Sequence, residues 1–177
     1  MLKKLIITAL VAVAMCSCKS KSEFSNVRID VGLIVKDAEK SVKFYKEVIG
    51  MTQTNILNAP ESLIADSGLS TPKKVKVYFM ALDGADNKAT QIKIMKWPGS
   101  PEKAPNKYVD SSYGFSYITI FVKDADKVVA NLKKHNIPIL GKGPFDLGCI
   151  DFAPNYLIVI RDPDGNFIEL IGPMKKK

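Results

Sequence analysis

Histidine is almost absent: His135 is the single copy in 177 residues. A metal centre built on two imidazoles is therefore beyond one chain, the two-histidine, one-carboxylate triad of non-haem iron oxygenases included. Cysteine is nearly as scarce. Cys16 and Cys18 lie near the start and only Cys149 lies further along, so the folded part has no intramolecular disulfide and must hold together by packing. Cys149 itself reads as a small buried apolar side chain, a reactive thiol being the alternative. No apolar run reaches the roughly 20 residues of a membrane-spanning helix; residues 5–15 form the longest, of 11. Phosphate-cradling loops and nucleophile elbows are missing, which removes kinase and serine-hydrolase chemistry. The net charge is +8, yet the basic residues are scattered without an aromatic-interleaved stripe. Nucleic acid is therefore not an expected partner.

What is present begins with a leader. Lys3 and Lys4 precede the short apolar run, and small residues with Cys16 and Cys18 follow it. That order is the order of an export signal, excluded from fold reasoning. The segment Met15-Cys16-Ser17-Cys18 resembles a bacterial lipoprotein box, in which a small residue precedes the cysteine that is cut and lipidated. Ser17 before Cys18 meets that rule better than Met15 before Cys16, so Cys18 (or Cys16) is the expected lipidation site. An ordinary secretory signal with two incidental cysteines is the alternative. With the anchor, the protein belongs in the cell envelope, on a membrane, since two or three acyl chains hold stably at about 0.8 kcal/mol per buried CH₂. Residues 1–17 are then the signal and 18–26 a tether.

An internal repeat organises the rest. Val35-Lys36-Asp37-Ala38-Glu39-Lys40-Ser41-Val42 recurs 87 residues later as Val122-Lys123-Asp124-Ala125-Asp126-Lys127-Val128-Val129. Each copy follows an apolar strand (residues 27–35 and 115–122) and opens a helix. Asp37 and Asp124 stand at N-cap positions, where a carboxylate accepts the orphan N–H groups of the first turn. Ala38, Val42, Tyr45, Val48 and Ile49 share one face of the first helix, and Gly50 ends it; Ala125, Val128, Val129 and Leu132 share one face of the second, stopped by Asn136 and Pro138. Strand and turn sequence follows each helix. It comprises residues 75–82, Asp83-Gly84 and 91–97 in the first half, and residues 156–161, Asp162-Pro163-Asp164-Gly165 and 167–171 in the second. Each half thus reads β-α-β-β-β. The boundaries are 27–98 for the first module, 99–113 for a Pro- and Ser-rich connector, 114–173 for the second module and 174–177 for a basic tail.

Paired units of this kind, with Val-Lys-Asp opening the helix, Phe44-Tyr45 in its middle and Asp162-Pro163-Asp164-Gly165-Asn166 before a Phe-Ile-Glu-Leu strand, resemble the vicinal-oxygen-chelate superfamily. That superfamily includes glyoxalase I, bleomycin-resistance proteins and extradiol dioxygenases. The resemblance covers nearly all of the chain after the leader. It implies an α+β fold in which two βαβββ modules form a curved mixed sheet around a cavity, with helices on the outer face. It is stronger for the fold than for any reaction, because a fold does not fix a function.

The resemblance also implies where metal ligands belong. Metal-dependent members carry one ligand in the first strand of each half, seven residues before the capping Asp, and another in the last strand. Here those positions hold Asp30, Lys93, Tyr117 and Glu169. Strand alternation places them together independently, since Val31, Leu33 and Val35 take one face of the first strand and Asp30 the other. Ile118, Ile120 and Val122 likewise leave Phe115, Tyr117, Thr119 and Phe121 opposite, and Phe167 and Glu169 oppose Ile168 and Leu170. Only Asp30 and Glu169 remain to hold a metal. Lys93 at about 4 Å would repel a dication by roughly 8 kcal/mol at an effective dielectric of 20, cancelling what one carboxylate contributes. No cofactor is therefore expected, and Lys93 is expected to pair with Asp30 or Glu169.

Three functions follow. The first is a small-molecule binding module, its cavity lined by Phe115, Tyr117, Phe121, Phe167 and Met95 with Asp30, Lys93 and Glu169 as polar anchors. The second is a diverged lyase or isomerase of the glyoxalase I type, with Glu169 as general base and Lys93 or Tyr117 stabilising an enolate oxygen. The third is an assembly role at the membrane. Arg161, just before the Asp162-Pro163-Asp164-Gly165 turn, reads as a surface ion pair, with a place at the rim of the cavity as the alternative, and His135 reads as solvent-facing. The modules close within one chain or exchange between two, a homodimer.

Overall fold

A computed structural model of the chain describes residues 28–82, 89–102, 104 and 106–175. The leader, Cys16, Cys18, the tether, the Asp83-Gly84 turn and the last two lysines of the tail lie outside the described residues. Among the described residues no helix is long and apolar enough to cross a membrane.

Two four-stranded mixed sheets carry the fold. In the first module, strand β1 (Val31–Ile34) leads into helix α1 (Ala38–Phe44), which widens into a π turn (Tyr45–Ile49). Strands β2 (Met51–Ala59), β3 (Val75–Leu82) and β4 (Gln91–Met95) follow, with a short helix α2 (Glu61–Asp66) between β2 and β3. In the second module β5 (Tyr117–Phe121), α3 (Ala125–Lys134), β6 (Phe145–Asp146), β7 (Asn155–Arg161) and β8 (Phe167–Pro173) repeat the plan. The spatial orders are β1-β4-β3-β2 and β5-β8-β7-β6, so each sheet sets its first strand beside its last. That pair, at one edge of each sheet, is parallel and the other pairs are antiparallel. Gly32 lies opposite Lys93 as Thr119 lies opposite Glu169. The 87-residue repeat in sequence is therefore also a repeat in register.

The capping carboxylates do the work assigned to them. Asp37 accepts from the Lys40 backbone N–H at 3.0 Å and Asp124 from that of Lys127 at 3.1 Å, both in extended backbone. Gly50 closes the first helix at φ 86°, a left-handed conformation open to residues without a Cβ. Gly172 serves a different need: a Cβ there would collide with the Val122 carbonyl, where β8 and the end of β5 lie against each other.

One apolar core joins the modules on the helix side of both sheets. Ile92 and Ile94 from β4, Ile158 and Ile160 from β7, and Ile168 and Leu170 from β8 meet Phe44 and Tyr45 of the first module and Leu132 of α3. The buried stripe of α1 differs from the one expected. Ser41 and Phe44 are buried, whereas Val42 is only half-buried. Ser41 is a polar residue in an apolar stripe because it has a partner there: its hydroxyl donates to Asp164 Oδ2 at 3.2 Å.

That bond belongs to a clasp between the halves. The Asp162–Asn166 turn of the second module lies on α1 of the first. The Tyr45 hydroxyl donates to Asp162 Oδ2 (3.1 Å) and the Lys36 backbone N–H to Asp164 Oδ1 (2.8 Å). Asp162, 5% exposed, also accepts from the backbone N–H groups of Asp164 and Asn166 and from the Asn166 amide. A buried carboxylate is tolerable only with such a full set of donors. On the other flank Asn131 of α3 donates to the carbonyls of Glu47 and Val48, satisfying the open end of the first helix.

Burial, then the negative charge of Asp162 and its hydrogen bond, push the Tyr45 hydroxyl well above the ordinary tyrosine range. The sign for stability follows. Above about pH 10 the unfolded chain ionises this tyrosine while the folded chain does not, so the unfolded state binds fewer protons and stability falls as pH rises. Tyr45→Phe is expected to lower unfolding free energy at neutral pH by about 1–3 kcal/mol, the range for a hydrogen bond to a charged group. It should also flatten the loss above pH 10. Denaturant titrations of both proteins across that range give the comparison, and equal curves would show the clasp to be idle.

Candidate functional site

Between the edge strands β1 and β5 lies a hollow of about 400 Å³. Asp30, Gly32, Tyr45, Phe115, Tyr117 and Phe167 are among the residues lining it. Its position follows from the clasp, since Tyr45 and Asn166, which bond to Asp162, also line the hollow. Gly32 contributes space by having no side chain. A Cβ there would meet only the Met95 methyl, at an ordinary 3.5 Å.

Four residues expected to share a site meet here: Asp30, Phe115, Tyr117 and Phe167. Lys93 does not line the hollow but reaches it through Asp30, its ammonium 2.9 Å from Oδ2. The Lys93 ammonium also lies over the Phe79 ring, 5.6 Å from the centroid. Arg28 grips the same carboxylate, Nε 2.7 Å from Oδ1 and Nη2 donating to Oδ2 at 2.7 Å. Desolvation pushes the Asp30 carboxyl up, but the hydrogen bonds and charges of Arg28 and Lys93 outweigh it and hold it below the usual carboxylate range. Asp30 is thus an anion between two cations.

Glu169 and Phe121 stand apart from the hollow. Glu169 is two residues beyond Phe167 on the same face and accepts from the Thr119 hydroxyl at 2.7 Å. Phe121 is 69% exposed at the far end of β5. Met95, expected in the lining, packs instead into a second apolar cluster with Ile64, Val75, Val77, Phe79 and Trp97. Helix α2 supplies Ile64 and so covers that side of the first sheet. The matching face of the second sheet keeps Tyr117, Phe121 and Phe145 exposed.

Three minor expectations need correction. Arg161 forms no surface ion pair among the described residues: it stacks on Phe167, 3.9 Å from the ring centroid, and donates to the carbonyls of Gly165, Asn106 and Lys107. It therefore ties the connector to the wall of the hollow, which is nearer the rim alternative than the ion pair; the connector carbonyls it binds have no signal in the sequence. Cys149 is exposed, not buried, because in the short turn Leu147–Ile150 it is Leu147 that takes the inward position. His135 is half-buried at the end of α3, lining a separate groove beside Lys40 and Phe44.

A divalent ion does not fit the four ligand positions. Lys93 and Arg28 both bond Oδ2 of Asp30, the buried Oδ1 has the Arg28 charge beside it but no hydrogen bond, Thr119 holds Glu169, and Tyr117 completes the set. Among the described residues no three His, Cys, Asp or Glu side chains group as a metal centre. A cation would have to displace the Lys93 ammonium and the Arg28 guanidinium to reach Asp30, at a Coulombic cost that Glu169 alone does not offset.

Paired βαβββ modules with equivalent register, and a seam lined by the first and last strands, define a vicinal-oxygen-chelate architecture. The model of the Glyoxalase/Bleomycin resistance protein/Dioxygenase superfamily matches residues 28–170, and the chain belongs to that superfamily. A lactoylglutathione lyase from Pseudomonas putida is 28% identical over 158 residues, covering 80% of this chain and 82% of that one. Among solved structures, a glyoxalase family protein from Bacillus cereus superposes with a TM-score of 0.69 at 20% identity, covering 88% of this chain and 99% of its own. An antibiotic binding protein from a Streptomyces species superposes with a TM-score of 0.52 at 20% identity, covering 86% and 98%. Both likenesses speak to the fold.

Removing one partner of the ion cluster should expose its internal balance. Asp30→Asn leaves Lys93 and Arg28 facing each other and is expected to destabilise by about 1–2 kcal/mol, discounted for the partial exposure of both cations. Adding Lys93→Met should recover part of that loss. A double-mutant cycle by urea denaturation measures the coupling, and strictly additive effects would mean that the pair contributes nothing.

Proposed function

We propose that this chain is a lipid-anchored binding protein of the cell envelope, which holds a small apolar anion in the seam between its two modules. The observation that carries this reading is the composition of the hollow. Phe115, Tyr117 and Phe167 supply apolar and aromatic wall; Asp30, paired with Lys93 and Arg28, forms a charged corner, and Ser116 and Asn166 add the few other polar groups. Few polar groups in a largely apolar concavity is the usual make-up of a small-molecule site. The corner favours an anionic headgroup, since one carboxylate is shared by two cations. An aromatic or aliphatic body would then lie against the rings.

Binding without a metal is the function that this donor set supports. The likeness to an antibiotic binding protein is consistent with it at the level of fold. The lipid anchor, through Cys18 or Cys16, comes from the leader alone. The second reading, a diverged lyase with Glu169 as general base, is favoured by the similarity to a lactoylglutathione lyase. For that role substrate must reach Glu169, two residues beyond Phe167 and outside the lining of the hollow.

Two measurements separate the readings. The first is metal content of the purified protein by mass spectrometry, where stoichiometric zinc, nickel, manganese or iron would turn the assignment to the lyase. The second is thermal shift with apolar anions, 2-naphthoate and decanoate serving as probes. A rise of several degrees in Tm is expected for the wild type, as mass action requires of a ligand that binds only the folded state. Lys93→Ala should weaken the naphthoate effect about tenfold in apparent affinity, the value of one charge-assisted contact. Gly32→Leu, which fills the floor, should abolish it while leaving the unliganded Tm within a few degrees. Unchanged affinity in both variants would place the ligand elsewhere.

A further inference from the structure

The mouth of the hollow carries apolar groups that the fold does not cover. Phe115 and Tyr113 are exposed as fully as side chains can be, at 109% and 108%, and Ile29 is 73% exposed. Ile29 and Phe115 both line the hollow, one from each module, and Tyr113 is two residues from Phe115. The connector adds exposed Tyr108 beside Lys107, whose carbonyl Arg161 fastens to the Phe167 wall. Isolated exposed apolar residues need no explanation, but a ring of them around one opening does.

The place where the chain enters the fold decides what meets this ring. The described structure begins at Arg28, next to Ile29 on the rim. A lipidated Cys18 stands only ten residues earlier, and ten residues reach at most about 35 Å when fully extended. The rim is therefore beside the point where the tether joins the fold, within one short tether of the bilayer. Tyrosine settles at a membrane interface because one end of its ring is wet and the other dry, and phenylalanine and isoleucine bury apolar surface just beneath it.

Resting on the lipid-anchored reading above, we propose that the rim formed by Ile29, Tyr113 and Phe115 lies on the lipid surface, so that the hollow opens toward the bilayer. The ligand is then an amphiphile of the membrane, an anionic headgroup at the Asp30–Lys93 corner and an apolar body along Phe115, Tyr117 and Phe167. It would pass between lipid and protein without crossing water. Another apolar area, around β6 and the turn carrying Ile150, lies at the far edge of the second sheet. It is three strands from β5, roughly 14 Å at the usual spacing, and faces no such constraint.

The test uses the full chain, extracted from bacterial membranes in detergent and reconstituted into phosphatidylcholine–phosphatidylglycerol vesicles containing acyl-brominated lipid. Phe115→Trp and Ile150→Trp place reporters at the rim and at the far edge; both sites are exposed, and the signal of Trp97 is subtracted with the unsubstituted chain. The Phe115→Trp reporter is expected to be quenched at least about twice as strongly as the Ile150→Trp reporter. Equal quenching at the two positions, in protein that floats with the vesicles, would overturn the proposed orientation while leaving the anchor standing. Failure of the full chain to float, or flotation unchanged when Cys16 and Cys18 are both replaced by alanine, would remove the anchor and this proposal with it. Emission at position 115 that is blue-shifted without lipid and varies with protein concentration would assign the rim to a second copy instead, again overturning it.

Discussion

The grip of one turn on one helix sets the geometry of everything else. Asp162 is a buried carboxylate whose negative charge is held by N–H and O–H donors, and one of those, the Tyr45 hydroxyl, comes from the other module. Asp164 repeats the trick with Ser41 and the Lys36 backbone. Leaving such a group without a donor is expensive in a low-dielectric interior, so the two modules are held at a fixed spacing rather than merely pressed together. Their edge strands β1 and β5 then face one another across a gap, and that gap is the hollow. Tyr45 and Asn166 belong both to the clasp and to its wall.

Within this frame the two halves have diverged in opposite directions. The equivalent positions Asp30 and Tyr117, and Lys93 and Glu169, are related by register across the repeat. In the first half they form an ion cluster, with Arg28 added. In the second they are an aromatic ring and a carboxylate tied to Thr119. The faces differ as well, since α2 covers the first sheet and leaves the second bare. A symmetric scaffold thus carries a polar corner and an apolar wall, the pairing an amphiphilic anion requires. The superfamily is established; the binding role, the anchor and the orientation at the membrane are proposals that draw on this asymmetry.

Much of the fold was legible in the sequence because its signals are local. Asp37 and Asp124 cap helices through bonds three residues away, Gly50 needs a positive φ, and strand alternation separates Val31 and Leu33 from Asp30. The 87-residue repeat then doubles every inference. What stayed hidden depends on distant partners. Ser41 looks like a misplaced polar residue until Asp164, more than a hundred positions later, is beside it. Arg161 gives no hint that it would bind connector carbonyls. Helix α2 has six residues, too few for a period, and a proline rather than a side-chain cap before it. Of the site, the pairing of Lys93 with Asp30 followed from charge. The distance of Glu169 and Phe121 from the hollow did not, since alternation fixes the face of a strand but not the position along it where a cavity opens.

The most direct test is a crystal structure of the protein grown with zinc and 2-naphthoate both present. The expected electron density is a naphthoate in the seam, its carboxylate against the Lys93 ammonium and its rings against Tyr117 and Phe167, with no metal at Asp30. An ion coordinated between Asp30 and Glu169, with Lys93 swung into bulk water, would contradict it.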